Sequence, residues 1–181
     1  MTGFGMDTVT SSGGMVVAPH MAAANAGAEI LADGGSAIEA MIAAASTIAV
    51  VYPHMNAIGG DGFWLIAEPG KDPKALMACG SAGSKATIAA YNEAGYGAIP
   101  TRGPMAAVTV AGTIGGWGKA LEAAQALGAG KMPRSELLRE AIRYAKEGIR
   151  VTRSQAALTA EKFDELKDQP GFADVFLVDG K

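Results

Sequence analysis

Ser36-Ala-Ile-Glu39 opens a stretch that runs through Val50-Val-Tyr-Pro-His54 to Ile58-Gly-Gly-Asp-Gly-Phe63, and this stretch decides the fold class. Ser36 and Glu39 stand three apart, the spacing at which each side chain satisfies the other's backbone N–H at a helix start. Ile38, Met41, Ile42, Ala45, Ile48 and Ala49 then recur as the buried stripe of one helical face. Pro53 stops the helix, because the residue before a proline is pushed out of helical geometry. The apolar run 40–52 is broken by Ser46 and Thr47 and falls short of the roughly 20 residues a membrane span needs, so it reads as a buried helix. Beyond the Gly59-Gly60 turn, residues 63–67 read as a short strand and residues 75–79 as its neighbour, joined by a hairpin connection over 68–74. Buried helices beside strands place the chain in the α/β (α+β) class.

Working outward, residues 8–14 form a flexible Ser/Gly stretch and residues 15–18 a strand candidate. Ala23, Ala26, Gly27, Ile30 and Leu31 mark a first helix stopped by Gly34-Gly35. On the other side, residues 80–84 are a tight loop, 85–93 a helix, 95–104 a Gly/Pro-rich passage and 108–110 a further strand candidate. Helices are expected over 113–127, 135–147 and 152–167. The middle one has Leu137, Leu138, Ala141, Ile142 and Ala145 inside and Arg139, Glu140, Arg143 and Lys146 outside, and Thr152 with Gln155 offers a second capping box. No repeat or low-complexity linker divides residues 1–181, which read as one domain: a terminus over 1–14, a helix pair with strands and loop over 15–94, and a helical segment over 105–181.

Composition narrows the function. The 181 residues carry 18 acidic and 15 basic side chains, and 49% are apolar, enough for a real core. With a net charge of -3 and a pI near 5.4, the surface is not built to neutralise phosphates, so neither nucleic acid nor an anionic membrane is an expected partner. The single Cys79 makes neither an internal disulfide nor a structural zinc site. Residues 1–7 lack the basic end and apolar stretch of a secretory signal, so a cytoplasmic location is expected, or a periplasmic one if the chain is already processed. Abundant Ala and Gly with few aromatics point to close-packed layers that supply little apolar area per residue.

The chemical motifs are mostly exclusions. Gly80-Ser-Ala-Gly-Ser-Lys-Ala-Thr87 and Ala129-Gly-Lys-Met132 resemble phosphate loops, but neither has Gly-Lys followed by a hydroxyl. The Gly60-Asp-Gly62 turn lacks a third glycine and leads into a strand instead of a helix, the reverse of a dinucleotide fingerprint. His20 and His54 sit at segment junctions in no metal-ligand pattern, and read as partly buried imidazoles bonded to backbone. No serine lies in a nucleophile elbow. The Gly59-Gly60 pair reads as a tight turn with positive backbone angles and close packing, or as N–H groups lining an oxyanion pocket.

Taken in order, Met15-Val-Val-Ala-Pro-His20, Ile30-Leu-Ala-Asp-Gly-Gly-Ser-Ala37, Val50-Val-Tyr-Pro-His54 and Ile58-Gly-Gly-Asp-Gly-Phe63 resemble the start of the gamma-glutamyltranspeptidase family. Val108-Thr-Val-Ala-Gly-Thr113 with Trp117, and Leu137-Leu-Arg-Glu-Ala-Ile142 through Glu147-Gly148 to Val151, look like later large-subunit segments, so the likeness covers residues 14–180. It implies an N-terminal-nucleophile hydrolase: an αββα sandwich whose mixed sheet is completed by a second chain or segment. It also implies a precursor cut into two subunits, of which residues 1–181 would be an incomplete front portion of the large one, and a small subunit whose N-terminal threonine attacks an amide. No Thr-Thr-His segment of that kind occurs here, so no catalytic residue is expected in this chain; Thr2, exposed by methionine removal, is the internal rival. No cofactor or metal is implied. The partners implied are the small subunit and a small amide substrate.

Departures from the family pattern bear on specificity. Gamma-glutamyl enzymes place an arginine in the loop after the second strand, where Cys79-Gly-Ser-Ala-Gly-Ser-Lys85 has none. Gly80, Ser81 and Lys85 are therefore candidate substrate-binding residues, with Lys85 as a substitute charge, and Arg102 is the other candidate for a substrate carboxylate. Asp61 and Ile99-Pro-Thr-Arg-Gly-Pro104 look more like the amidohydrolase and acylase branch, which includes oxamate amidohydrolase and cephalosporin acylase-like proteins. A noncatalytic assembly module is the alternative from another class.

Overall fold

A computed structural model describes residues 8–180. Residues 1–7, with Thr2 as a rival nucleophile, lie outside the described residues. The chain divides into two compact units, Met1–Pro53 with Leu121–Ile149, and His54–Ala120 with Arg150–Lys181.

The first unit is helical. Helix α1 (Met21–Ala32) starts at His20, whose Nδ1 accepts the Ala22 N–H at 3.1 Å, and gives way to Gly34 at φ 84°. Helix α2 (Ala37–Val51) begins with the expected reciprocal cap between Ser36 and Glu39 and ends ahead of Pro53. The two helices meet through small residues: a Cβ at Gly27 would lie 2.8 Å from both the Ala40 carbonyl and the Val16 side chain. Such close packing makes Ala23, Ala26, Ala40, Ala43 and Ala44 core residues alongside Ile30, Ile38, Ile42 and Val51.

Three expectations in this unit are corrected. α2 is not striped: Met41 is 44% exposed, whereas Ala43, Ala44, Ser46 and Thr47 are buried, because α1 covers one side while α5 (Arg134–Leu137) and α6 (Arg139–Glu147) cover another. The helix expected over 135–147 is interrupted at Leu138, beside the point where the buried Ser46 hydroxyl, shared with the Ala43 carbonyl, reaches the Leu137 carbonyl at 3.4 Å; Ile142 and Ala145 lie exposed on α6. Residues 15–18 pair with no strand among the described residues, and Val16 packs instead on the Gly27 face.

The second unit is built on an antiparallel hairpin, β1 (Gly62–Ile66) with β2 (Lys74–Ala78), in the register Phe63 with Met77 and Trp64 with Leu76. Strand alternation splits its faces. Trp64, Leu76 and Ala78 turn toward the start of α4 (Thr113–Ala126), where a Cβ at Gly116 would meet Ala78. Phe63, Leu65 and Met77 on the opposite face are 68%, 76% and 74% exposed.

α3 (Ile88–Glu93) starts later than expected, capped by Thr87, so Lys85 sits in the turn before it. A 3-10 turn (Pro104–Ala106) precedes residues 108–110, which form an isolated bridge instead of a strand. α7 (Arg153–Leu166) and α8 (Phe172–Phe176) follow. The Thr152 cap of α7 is half of the expected box: Thr152 accepts the Gln155 N–H at 3.1 Å, but the buried Gln155 Oε1 has no hydrogen-bond partner. Among the described residues no helix is long and apolar enough to cross a membrane.

Candidate functional site

Arg102 apart, two loops of the second unit carry the candidate residues, the 58–62 turn entering β1 and the 79–85 loop leaving β2, and both are fastened to residues 108–113. At the loop, Gly83 donates its N–H to the Val108 carbonyl at 3.2 Å and Val110 donates to the Ser81 carbonyl at 3.0 Å, on either side of the Ala82–Thr109 bridge. At the turn, the Gly60 carbonyl accepts from Gly112 N and Thr113 N, both at 3.0 Å, and from Thr113 Oγ1 at 2.8 Å. Thr109 Oγ1 donates to Asp61 Oδ1 at 3.3 Å.

Glycine makes this fastening possible. A Cβ on Gly80 would overlap the Val110 carbonyl, and one on Gly112 would overlap the Ala78 carbonyl, so the two backbones cross where neither has a side chain. Gly59 and Gly60 differ from expectation: neither has a positive φ, and a Cβ on either would meet nothing within 4 Å. Close packing therefore does not explain that pair, and what the turn contributes is the Gly60 carbonyl.

The side chains are disposed unevenly. Ser81 and Lys85 are exposed, and the Lys85 ammonium has no hydrogen-bond or ion-pair partner among the described residues. Cys79 is half-buried. Arg102 faces elsewhere: its Nε lies 3.0 Å from Glu165 Oε1 on α7, and its Nη1 donates to the Thr101 carbonyl at 3.1 Å. The structure thus groups Gly80, Ser81 and Lys85 on one loop and ties Arg102 to a helix. Among the described residues, no three His, Cys, Asp or Glu side chains cluster as a metal-ligand set. Thr109 and Gly112 escaped the sequence reading; the signal available was the Val108-Thr-Val-Ala-Gly-Thr113 run, whose glycine follows a β-prone segment.

Comparison with known proteins places this geometry. The chain is 56% identical over 171 residues to the oxamate amidohydrolase proenzyme of Klebsiella pneumoniae, covering 94% of this chain and 32% of that protein. Among solved structures, the gamma-glutamyltranspeptidase from Pseudomonas nitroreducens, complexed with L-DON, superposes with a TM-score of 0.78 at 36% identity, over 91% of this chain and 48% of that one. The cephalosporin acylase from Bacillus halodurans superposes with a TM-score of 0.69 at 38% identity, over 80% of this chain and 26% of that one. The fold is that of the N-terminal-nucleophile hydrolases. The gamma-glutamyltranspeptidase profile matches residues 23–181, and the chain belongs to that family. It spans about a third of the length of the curated relatives it matches.

Proposed function

We propose that this chain is the front of the large subunit of an autoprocessed amide hydrolase, and that the substrate is the amide of a small carboxylate-bearing molecule. The observation that carries this is the 79–85 loop, which is fastened by backbone, offers an unpaired ammonium at Lys85 and has no arginine. An ammonium is a compact point charge and does not reproduce the planar two-pronged grip of a guanidinium on an amino-acid carboxylate. It suits a short anion, and the relative at 56% identity is named for oxamate, in which a carboxylate adjoins the amide carbonyl. Arg102, engaged with Glu165, serves the 99–104 turn.

In this scheme the nucleophile is the N-terminal threonine of a small subunit cut from the same precursor. Its hydroxyl attacks the amide carbonyl while its own α-amine takes the proton; the C–N bond breaks, the amine leaves, and water or an acceptor amine then attacks the ester. This chain contributes binding: Lys85 holds the carboxylate, and Ser81 and the Gly80 backbone line the same loop. The exposed hairpin face of Phe63, Leu65 and Met77 is the surface that the remainder of the precursor covers.

Expression of the full precursor tests the scheme. Two polypeptides on a denaturing gel, ammonia release from oxamate and weak release of p-nitroaniline from a gamma-glutamyl anilide are expected. An uncut precursor without amide turnover would favour a noncatalytic assembly module, and rapid anilide turnover would show that the absent arginine does not set specificity.

A further inference from the structure

The 79–85 loop has little packing to hold it. Residues 81–85 are all exposed, and among the described residues its hydrogen bonds to the chain beyond α3 are the Gly83–Val108 and Ser81–Val110 pairs. Thr109 lies between those two bonds. It stands opposite Ala82 in the non-hydrogen-bonded pair that those two bonds enclose, and its side chain reaches Asp61 of the Gly59-Gly-Asp-Gly62 turn. One residue therefore spans from the turn that starts β1 to the loop that follows β2.

We propose that Thr109 is a positioning residue for the substrate loop: its hydroxyl on Asp61 holds in place the flanking Val108 and Val110 backbone groups that bond Gly83 and Ser81, so that Ser81 and Lys85 are held at a fixed place. This rests on the assignment of the loop to the substrate carboxylate. A loop anchored at two backbone points is free to rock about them; a third point that fixes the anchoring segment itself removes that freedom. Gly112 assists by letting the chain cross at Ala78, and Thr113 by bonding the same turn through Gly60.

The test uses the mature enzyme with Thr109→Val, which keeps the side-chain shape and removes the hydroxyl, and Thr109→Ser, which keeps the hydroxyl. Thr109→Val is expected to raise KM for a small anionic amide about fivefold, the scale of one lost hydrogen bond, with kcat within about twofold and the melting temperature nearly unchanged. Thr109→Ser is expected to restore KM. Asp61→Ala should match Thr109→Val, and the double variant should be no worse than either single one. Amide hydrogen exchange at Gly83 and Val110 should accelerate in Thr109→Val alone of the two Thr109 variants. Normal turnover with neither KM nor exchange moved would overturn the role of Thr109 and leave the substrate assignment standing. Faster exchange with KM unchanged, or with no amide turned over by the parent enzyme, would keep Thr109 as the seat of the loop and remove the substrate from it.

Discussion

The Glu39 carboxylate accepts the backbone N–H of Met132 at 2.7 Å, joining residues 93 apart in sequence through a side chain that is 1% exposed. Its other oxygen accepts from both the N–H and the hydroxyl of Ser36 at 2.7 Å, so one carboxylate caps α2 and secures the loop ahead of α5. Glu39→Ala leaves these donors without an acceptor and is expected to lower unfolding stability by about 2–4 kcal/mol, since each orphaned donor costs about 1–3 kcal/mol. Urea unfolding of the mature protein measures it.

Acid should undo the same contact. Burial works to raise the Glu39 pKa, but hydrogen bonds from Ser36, Met132 and Gly130 outweigh it and hold the carboxyl below the ordinary 4.5. A lowered folded-state pKa means stability that is fully present above the unfolded value and lost as pH falls through the folded one. The contribution is therefore flat from neutral pH down to the ordinary glutamate range and fades below it. Glu39→Gln should flatten that acid slope in unfolding curves taken between about pH 3 and pH 7.

Glycines that look alike in sequence should respond differently. Gly80→Ala drives a methyl into the Val110 carbonyl and is expected to cost about 1–3 kcal/mol, the usual scale of overpacking. Gly60→Ala has open space and no positive φ, and should stay within about 0.5 kcal/mol. Thermal melts of the two variants separate them.

At the start of α7 the cap and its supposed partner should part company. Thr152→Ala removes the acceptor of the Gln155 N–H and should cost about 1 kcal/mol. Gln155→Met removes a buried carbonyl oxygen that has no partner and is expected to be neutral or stabilising. A loss of more than about 1 kcal/mol in Gln155→Met would show that the amide is satisfied in the mature protein.

The two candidate cations are distinguishable by kinetics. Lys85→Ala should raise KM for a small anionic amide about tenfold or more, the value of one charge-assisted contact. Arg102→Ala breaks an exposed pair with Glu165 and should shift stability by less than about 1 kcal/mol, with KM within about twofold.

Local chemistry was legible in the sequence, and contacts at a distance were not. The Ser36–Glu39 cap, the stop before Pro53 and the hairpin can be read because their determinants lie within a few residues of one another. The interruption at Leu138 sits beside a hydroxyl reaching over from α2, and α2 is covered on more than one side because α5 and α6, which arrive much later in the chain, pack on it as well as α1. The 79–85 loop stands out in sequence by what it lacks, an arginine, while Thr109 and Gly112 carry no charge and act on residues far from them in sequence, Asp61 and Ala78.

The crossing at Gly80 also sets which edits this loop tolerates. Position 80 is closed to any side chain by the Val110 carbonyl, whereas Ser81 is exposed and Gly83 has open space and no left-handed backbone angle. An engineer seeking to graft a guanidinium and recruit gamma-glutamyl donors has Ser81 and Gly83 as points of entry. At Gly80 the same graft would dislodge the backbone before any new substrate could be offered.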